Sequence, residues 1–316
     1  MRSPIQLFFR RAWIAFLLLL AVATSAGAQE RVVAIGDIHG AYPQIVRLLQ
    51  QTGLLDAEGR RWTGGAAVLV QTGDVVSRGA RSRECLDLLM ELERQAPTQN
   101  GRVVVLLGNH EVMVIMGDLR YTTPGEFRAF ATDQSEKVRQ HAYQDYLSFL
   151  ASRPSADRLG GRVPELARDF EKWAAEHPLG SFELRDAYGP EGFYGRWLRQ
   201  RDTIAQVDDA IFLHGGLSPG LRFRTIADLN QRIRAELERF DQLWRILTEK
   251  RILWRYLRFE EARQEAGIEL ARLDDSGEGA DDFLRVQLQE FLSVTGWLSV
   301  SPKGPLWYRG YAMEPE

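Results

Sequence analysis

Val103 to Met113 reads V-V-V-L-L-G-N-H-E-V-M. Five apolar residues, three of them β-branched, have the length and chemistry of a buried strand. Gly-Asn-His-Glu interrupts them, and apolar residues resume at once. Polar side chains set directly after such a strand are either a helix cap with a core histidine or part of a site. The same pattern recurs on both sides. Arg31–Ile35 (R-V-V-A-I) runs into Gly36-Asp37-Ile38-His39-Gly40. A-A-V-L-V, at 66–70, runs into Gln71-Thr72-Gly73-Asp74, and D-A-I-F-L, at 209–213, runs into His214-Gly215-Gly216.

Helical patterns separate these runs. Ile45, Leu48 and Leu49 recur at helical spacing, and residues 80–95 form a second amphipathic helix. The intervening L-L-D-A-E-G-R-R-W-T-G-G reads as a turn-rich stretch or small hairpin. Alternating strands and helices predict an α/β layered fold. From Asp118 to Asp208 the pattern becomes mainly helical and aromatic, with Phe127, Phe130, Tyr143, Tyr146 and Phe149, which reads as a capping insertion. The expected division is therefore a catalytic domain of residues 29–117 and 209–316 and a helical cap of 118–208. Tyr121, Phe193, Tyr194 and Trp197 are candidates to line a phenolic pocket, although core packing is the better reading of such residues. Residues 223–258 are helical with a Leu/Trp stripe. L-D-D-S-G-E-G-A-D-D, at 273–282, lacks calcium-loop spacing and reads as a solvated loop.

In an open α/β sheet, sites assemble at the carboxyl ends of strands. The four strand ends here offer Asp37 and His39, Asp74, Asn109 and His110, and His214. Three of the chain's five histidines are among them, a concentration that folding alone does not require. Carboxylate, imidazole and carboxamide oxygen suit divalent manganese, iron or zinc. Two such ions about 4 Å apart clamp an in-line displacement, and a carboxylate such as Asp74 is able to bridge them. Arg78, four residues past Asp74, has the forked donor geometry that grips phosphate.

The chain has 316 residues and a formal net charge of −3, which gives no support for a nucleic-acid surface. Its single cysteine, Cys85, forbids an intrachain disulfide and lies in an amphipathic helical pattern, where a small buried hydrophobe is expected. Arg2, Arg10 and Arg11 precede A-W-I-A-F-L-L-L-L-A-V and then A-G-A. This is the layout of a secretory signal peptide over residues 1–28, with an uncleaved anchor as the alternative. A secreted or periplasmic protein, not held in a membrane after cleavage, is the expectation.

Taken together, G-D-I-H-G (36–40), G-D-V-V-S-R-G (73–79), G-N-H-E (108–111) and H-G-G-L-S-P (214–219) resemble the metallophosphoesterase, or calcineurin-like, superfamily. The phosphoprotein phosphatase branch, and within it the bacterial Shewanella-like phosphatases, is the nearest match. G-D-L-R-Y, Y-G-R-W-L and P-L-W-Y-R-G carry the narrower likeness. The resemblance implies a sandwich of β-sheets flanked by helices and a centre of two divalent metal ions. It implies that Asp37 and His39 hold the first metal, that Asp74 bridges, and that Asn109 and His214 hold the second. It also implies that Arg78 and Arg309 bind the substrate phosphate and that His110 protonates the leaving group. The activity so implied is hydrolysis of a phosphomonoester, in a phosphoprotein, peptide or small molecule, by a hydroxide bridging the metals. A nucleoside polyphosphate hydrolase and a non-catalytic, degenerate binding protein are the competing expectations.

Two departures from the family pattern qualify this. Ser77 stands where G-D-x-x-D-R-G has an aspartate that charges the catalytic histidine, so His110 is expected to protonate less readily, with Glu111 as a substitute acid. No histidine follows His214, although the family supplies one more metal ligand downstream. A chain continuing past Glu316 is the favoured explanation, and a degenerate site the other.

Overall fold

In the computed structural model, residues 31–152, 169–275 and 281–313 are described. The expected signal peptide and residues 276–280 of the acidic loop lie outside them.

β1 (Val32–Ile35), β2 (Val68–Gln71) and β3 (Arg102–Val105) form a parallel sheet in the order of the chain. Val32 pairs with Val68, and Val68 with Arg102. Parallel neighbours need crossovers, which α1 (Tyr42–Gln51) and α2 (Ser82–Gln95) supply. Two right-handed crossovers in one direction leave both helices on one face. Leu69, Val103 and Val105 accordingly pack with Ile45, Leu49, Cys85 and Leu89 in the main core. Cys85 is buried, as its pattern predicts.

Val68, Val70 and Leu106 point the other way and form a second cluster with Val207. That residue belongs to β4 (Ile204–Val207), which pairs antiparallel with β5 (Ala210–Leu213). A parallel bridge from Leu106 to Asp202 ties this hairpin to the end of β3. β4 precedes Asp209, where the sequence pattern alone places the return of the α/β part. Four residues with one polar glutamine show too little alternation to announce a strand. The 54–65 stretch is turn-rich, with a single antiparallel bridge from Leu55 to Trp62.

The Asn-His pair is not in a loop. It opens α3 (Asn109–Ile115), a short helix whose side chains are all buried. Five more helices follow before β4: α4 (Pro124–Phe130), α5 (Ser135–Ser152), α6 (Phe170–Glu176), α7 (Ser181–Tyr188) and α8 (Phe193–Arg199). Beyond β5 come α9 (Ile226–Glu249), α10 (Phe259–Asp275), α11 (Asp282–Ser293) and the short α12 (Gly310–Met313). The aromatics of the insertion mostly pack on one another. Trp173 stacks on His177 at 4.0 Å and contacts Phe182 and Trp254, which joins the insertion to the segment after α9. Tyr194 and Trp197 are buried and bond Asp87 and Glu93 of α2, so they dock the insertion rather than line a pocket. Tyr121 and Phe193 are exposed.

Candidate metal centre

The carboxyl ends of the three parallel strands and of β5 converge. Asp37, His39, Asp74, Asn109, His110 and His214 lie in one cluster, joined by Arg78 and Arg309 from its margins. The eight residues that the sequence offers as metal ligands, phosphate-binding arginines and leaving-group acid are therefore brought to one place.

Asp74 sits at the centre. Its Oδ1 accepts the His110 backbone N–H at 3.0 Å, which fixes the carboxylate. Its Oδ2 lies 3.6 Å from His39 Nε2 and 3.4 Å from His214 Nε2. Asp37, half exposed, completes the outer edge, 3.6 Å from His39 Nε2 and 3.8 Å from His214 Nδ1. His39 Nδ1 donates to the Val76 carbonyl at 2.9 Å. A neutral ring held in that tautomer turns a bare Nε2 lone pair toward two carboxylates. His214 Nε2 lies 2.8 Å from Asn109 Oδ1 and 2.9 Å from Arg309 Nη2. One nitrogen cannot donate to the first and accept from the second at once. Among the described residues, His39 Nε2 and His214 Nδ1 are buried without hydrogen-bond partners. Lone pairs crowded together with too few protons between them are what divalent cations satisfy. The donor set fits such ions.

Burial, chiefly, and the carboxylates of Glu111 and Asp37 raise the Asp74 pKa far above its ordinary range in the metal-free protein. Burial lowers His214 to about 4, which keeps its ring in the neutral form that ligates. His110 is also lowered to about 4, by burial first and then by the charges of His39 and Arg78. Its Nε2 accepts from Arg78 Nη2 at 3.2 Å, and its Nδ1 is buried without a partner among the described residues. Ser77, equally buried, makes no side-chain hydrogen bond to it among the described residues. The orienting contact that an aspartate would provide is missing.

The backbone under the cluster is strained. His39, Asp74, Ser77 and Arg78 have φ of 47°, 59°, 69° and 65°. Non-glycine residues rarely occupy that region, and it collects at functional sites. The loops also press backbone to backbone: a Cβ on Gly73 would collide with Gly108, and one on Gly108 with Asp74. Only glycine allows that approach.

Three supporting residues were not singled out as such in the sequence. Glu111 is not a spare acid. It is fully buried and accepts the backbone N–H groups of Gly108, Asp74, Val75 and Val76, at 2.7, 2.7, 2.8 and 3.2 Å. It therefore clamps two ligand loops together, and the expectation that it replaces the missing aspartate is corrected. Its place three residues after Gly108, before an apolar run, has the spacing of a helix-capping acid, which is the signal available. Glu126 holds the Ser77 N–H at 2.9 Å and the Ser82 hydroxyl at 2.6 Å. The T-P-G-E capping pattern marks Glu126 as a cap, but not as the support of a loop some fifty residues earlier. Gln71 donates to the Gly36 and Gly73 carbonyls at 3.1 and 2.7 Å, bracing the first two ligand loops.

The calcineurin-like phosphoesterase model matches residues 30–267, so this chain belongs to that family. Shewanella-like protein phosphatase 2 of Arabidopsis thaliana is 33% identical over 60% of this chain and 46% of its own length. Shewanella-like protein phosphatase 1 of Plasmodium berghei is 26% identical over 71% of this chain and 51% of its own. A solved structure titled as a cold-active protein tyrosine phosphatase superposes with a TM-score of 0.52 at 25% identity, covering 91% of this chain and 58% of that one. The chain spans about half the length of the curated relatives it matches.

Proposed function

We propose that the protein is a metal-dependent phosphatase that hydrolyses phosphomonoesters, in phosphorylated proteins or peptides or in small phosphoesters. The observation that carries this reading is the convergence of Asp37, His39, Asp74, Asn109 and His214, with Arg78 beside His110 and Arg309 beside His214. Those five residues would hold two divalent ions, manganese, iron or zinc by the hardness of their donors. When bound, the ions supply Lewis acidity and an activated water at neutral pH. The chain's own residues do the rest. Arg78 and Arg309 bind the equatorial phosphoryl oxygens and offset charge that grows there. His110, beside Arg78, faces the departing oxygen and delivers its proton. With Ser77 in place of a carboxylate, that delivery is weak, which favours esters whose leaving group departs with little help, aryl phosphates before alkyl. The exposed ring of Tyr121 lies 5.0 Å from His110, beside the route such a group would take. We also propose export, from the basic and apolar N-terminal run; the mass of the mature protein in a periplasmic extract checks it.

The test is hydrolysis by the full chain, loaded with manganese, of an aryl phosphate, of phosphotyrosine and phosphoserine peptides, and of dinucleoside tetraphosphate, with metal content measured. Phosphate release at two bound ions, abolished by Asp74→Ala, is the expected result. Release from the tetraphosphate alone would favour nucleotide hydrolysis, and no turnover with one ion or none would favour a binding protein.

A further inference from the structure

The strap from Asp118 to Thr122 has two faces. Tyr121 turns toward the metal centre, over Arg78 at 5.4 Å as well as against His110. Its neighbours Arg120 and Thr122 line a separate cavity of about 660 Å³, whose other walls include Ser181 and Arg185 of α7 and Arg258 before α10.

Arg185 is the anomaly there. A guanidinium carries five N–H donors. Among the described residues this one makes a single long hydrogen bond, from Nη2 to the Leu257 carbonyl at 3.4 Å, its Nε has no partner, and its face lies over the Trp244 ring at 5.6 Å. No carboxylate lies within ion-pairing distance of it among the described residues. The adjacent Asp186 is committed to Arg255 and Tyr256. Burial lowers the Arg185 pKa to about 10, and the charge of the neighbouring Asp186 offsets only part of that. Gly117, with φ of 82°, makes room for it, since a Cβ there would collide with Nη1. The guanidinium thus lies against the chain just past α3, yet donates to none of that helix's carbonyls among the described residues.

The rest of the lining agrees. Thr122 Oγ1 and Ser181 Oγ are buried and have no hydrogen-bond partner among the described residues. Arg258 is exposed at the rim, where its side chain bonds a backbone carbonyl, that of Glu176, at 3.1 Å. Of the acids that face the cavity, Asp118 pairs with Arg120 and Glu260 with Arg263, which leaves Glu176. Among the described residues, two lining arginines without a carboxylate partner thus face one carboxylate without an arginine partner.

We propose that this cavity is an oxyanion subsite, which takes a second phosphoryl or carboxylate group of the substrate whose phosphoester lies at the metal centre. It rests on the phosphatase reading for that ester alone. Because the two sites occupy opposite faces of one strap, a peptide passing Tyr121 enters both. Arg185 and Arg258 then meet the second anion with charge-assisted bonds.

Three phosphotyrosine peptides, alike but for flanking Gln, Glu or phosphoserine, test this with the manganese-loaded full chain. The wild type should show KM about tenfold lower for the Glu or phosphoserine peptide than for the Gln peptide, the worth of one charge-assisted bond. A gain with Glu assigns a carboxylate, and a gain with phosphoserine a phosphoryl group. Arg258→Ala, at an exposed position, should erase the gain and leave kcat, and KM for the Gln peptide, within about twofold. Arg185→Met should do the same, and Arg258→Ala decides alone if that variant fails to fold. Equal KM for all three peptides in the wild type overturns the proposal, as does a variant that raises KM equally on all. If no ester is hydrolysed, the phosphatase reading has failed. The subsite is then tested by melting the EDTA-treated protein in sulfate: a larger upward shift in wild type than in Arg258→Ala supports it, and equal shifts overturn it.

Discussion

Among the described residues the His110 ring is hydrogen-bonded by Arg78 alone, with Asp74 Oδ2 3.9 Å from its Nε2, and Ser77, next to Arg78, sits in left-handed backbone. Aspartate tolerates that backbone better than most residues. Ser77→Asp should therefore fold and give the imidazole a charge partner. A positioned acid contributes roughly 10²–10⁴ to rate where the leaving group needs one. The variant should gain about tenfold in kcat on an alkyl phosphate and under about threefold on p-nitrophenyl phosphate. Its kcat profile should hold to higher pH, because the raised His110 pKa keeps the acid protonated longer. Unchanged rates and profiles on both esters would show that Ser77 does not limit His110. Asp74 bears on metal uptake. Its pKa is raised in the metal-free protein, so binding a cation must expel a proton from it. Manganese affinity should weaken as pH falls from 8 to 6, and titration calorimetry in buffers of different ionisation enthalpy should detect the released proton.

At the scale of elements, the N-terminal turn of α3 and the loop after β2 are one unit because Glu111 accepts backbone N–H groups from both. Glu111→Gln turns an acceptor-only group into one that must present donors to donors. With bonds to charged groups worth about 1.5–3 kcal/mol each, the loss should exceed about 3 kcal/mol and be visible in a urea titration, together with weaker metal retention. In the insertion, burial lowers the pKa of His177, whose ring lies between Trp173 and Phe182. Below its unfolded pKa, near 6.5, the unfolded chain binds a proton that the native chain refuses. Stability is therefore full above that pH and falls as pH drops through it. His110 and His214 act in the same direction, while Asp74 acts in the opposite one. The share of His177 is isolated by His177→Phe, which keeps the stack: in EDTA its melting temperature should fall less between pH 7.5 and 5 than that of the wild type. An identical fall would place the acid sensitivity elsewhere.

Across the whole molecule, the insertion and the α/β part share a core. Trp173 touches Trp254, and Tyr194 and Trp197 anchor to α2. Trp173→Ala should cost about 3–5 kcal/mol, as large aromatic truncations do, and lower the melting temperature of the entire protein in a single transition. A separate early transition confined to the insertion would show independent folding. Metal ions that bind only the native centre stabilise by mass action, about 2.7 kcal/mol at a hundredfold excess over Kd. Chelation should lower the melting temperature of the wild type, and much less that of Asp74→Ala.

The three strands, their crossover helices and the candidate ligand positions were legible because each is local. An apolar run of strand length followed by Gly-Asp or Gly-Asn-His is written in consecutive residues, and four such runs converge by the ordinary rule for open sheets. β4 was not legible, since Ile204–Val207 lacks alternation and gains its identity from the partner strand and the cluster beneath it. Neither was the role of Glu111, because a carboxylate that caps its own helix looks the same in sequence whether or not it also gathers another loop's backbone. The aromatic insertion could be read as pocket or core, and only packing assigned Tyr194 and Trp197 to the interface and left Tyr121 exposed beside His110. The sequence by itself determined which side chains could serve as ligands and on which strand ends they stand. Tertiary structure decided which backbone groups are shared between loops, which histidine lacks its partner and which arginine, among the described residues, has no carboxylate within ion-pairing reach. Those are relations between distant residues, set by distance and dielectric rather than by order along the chain.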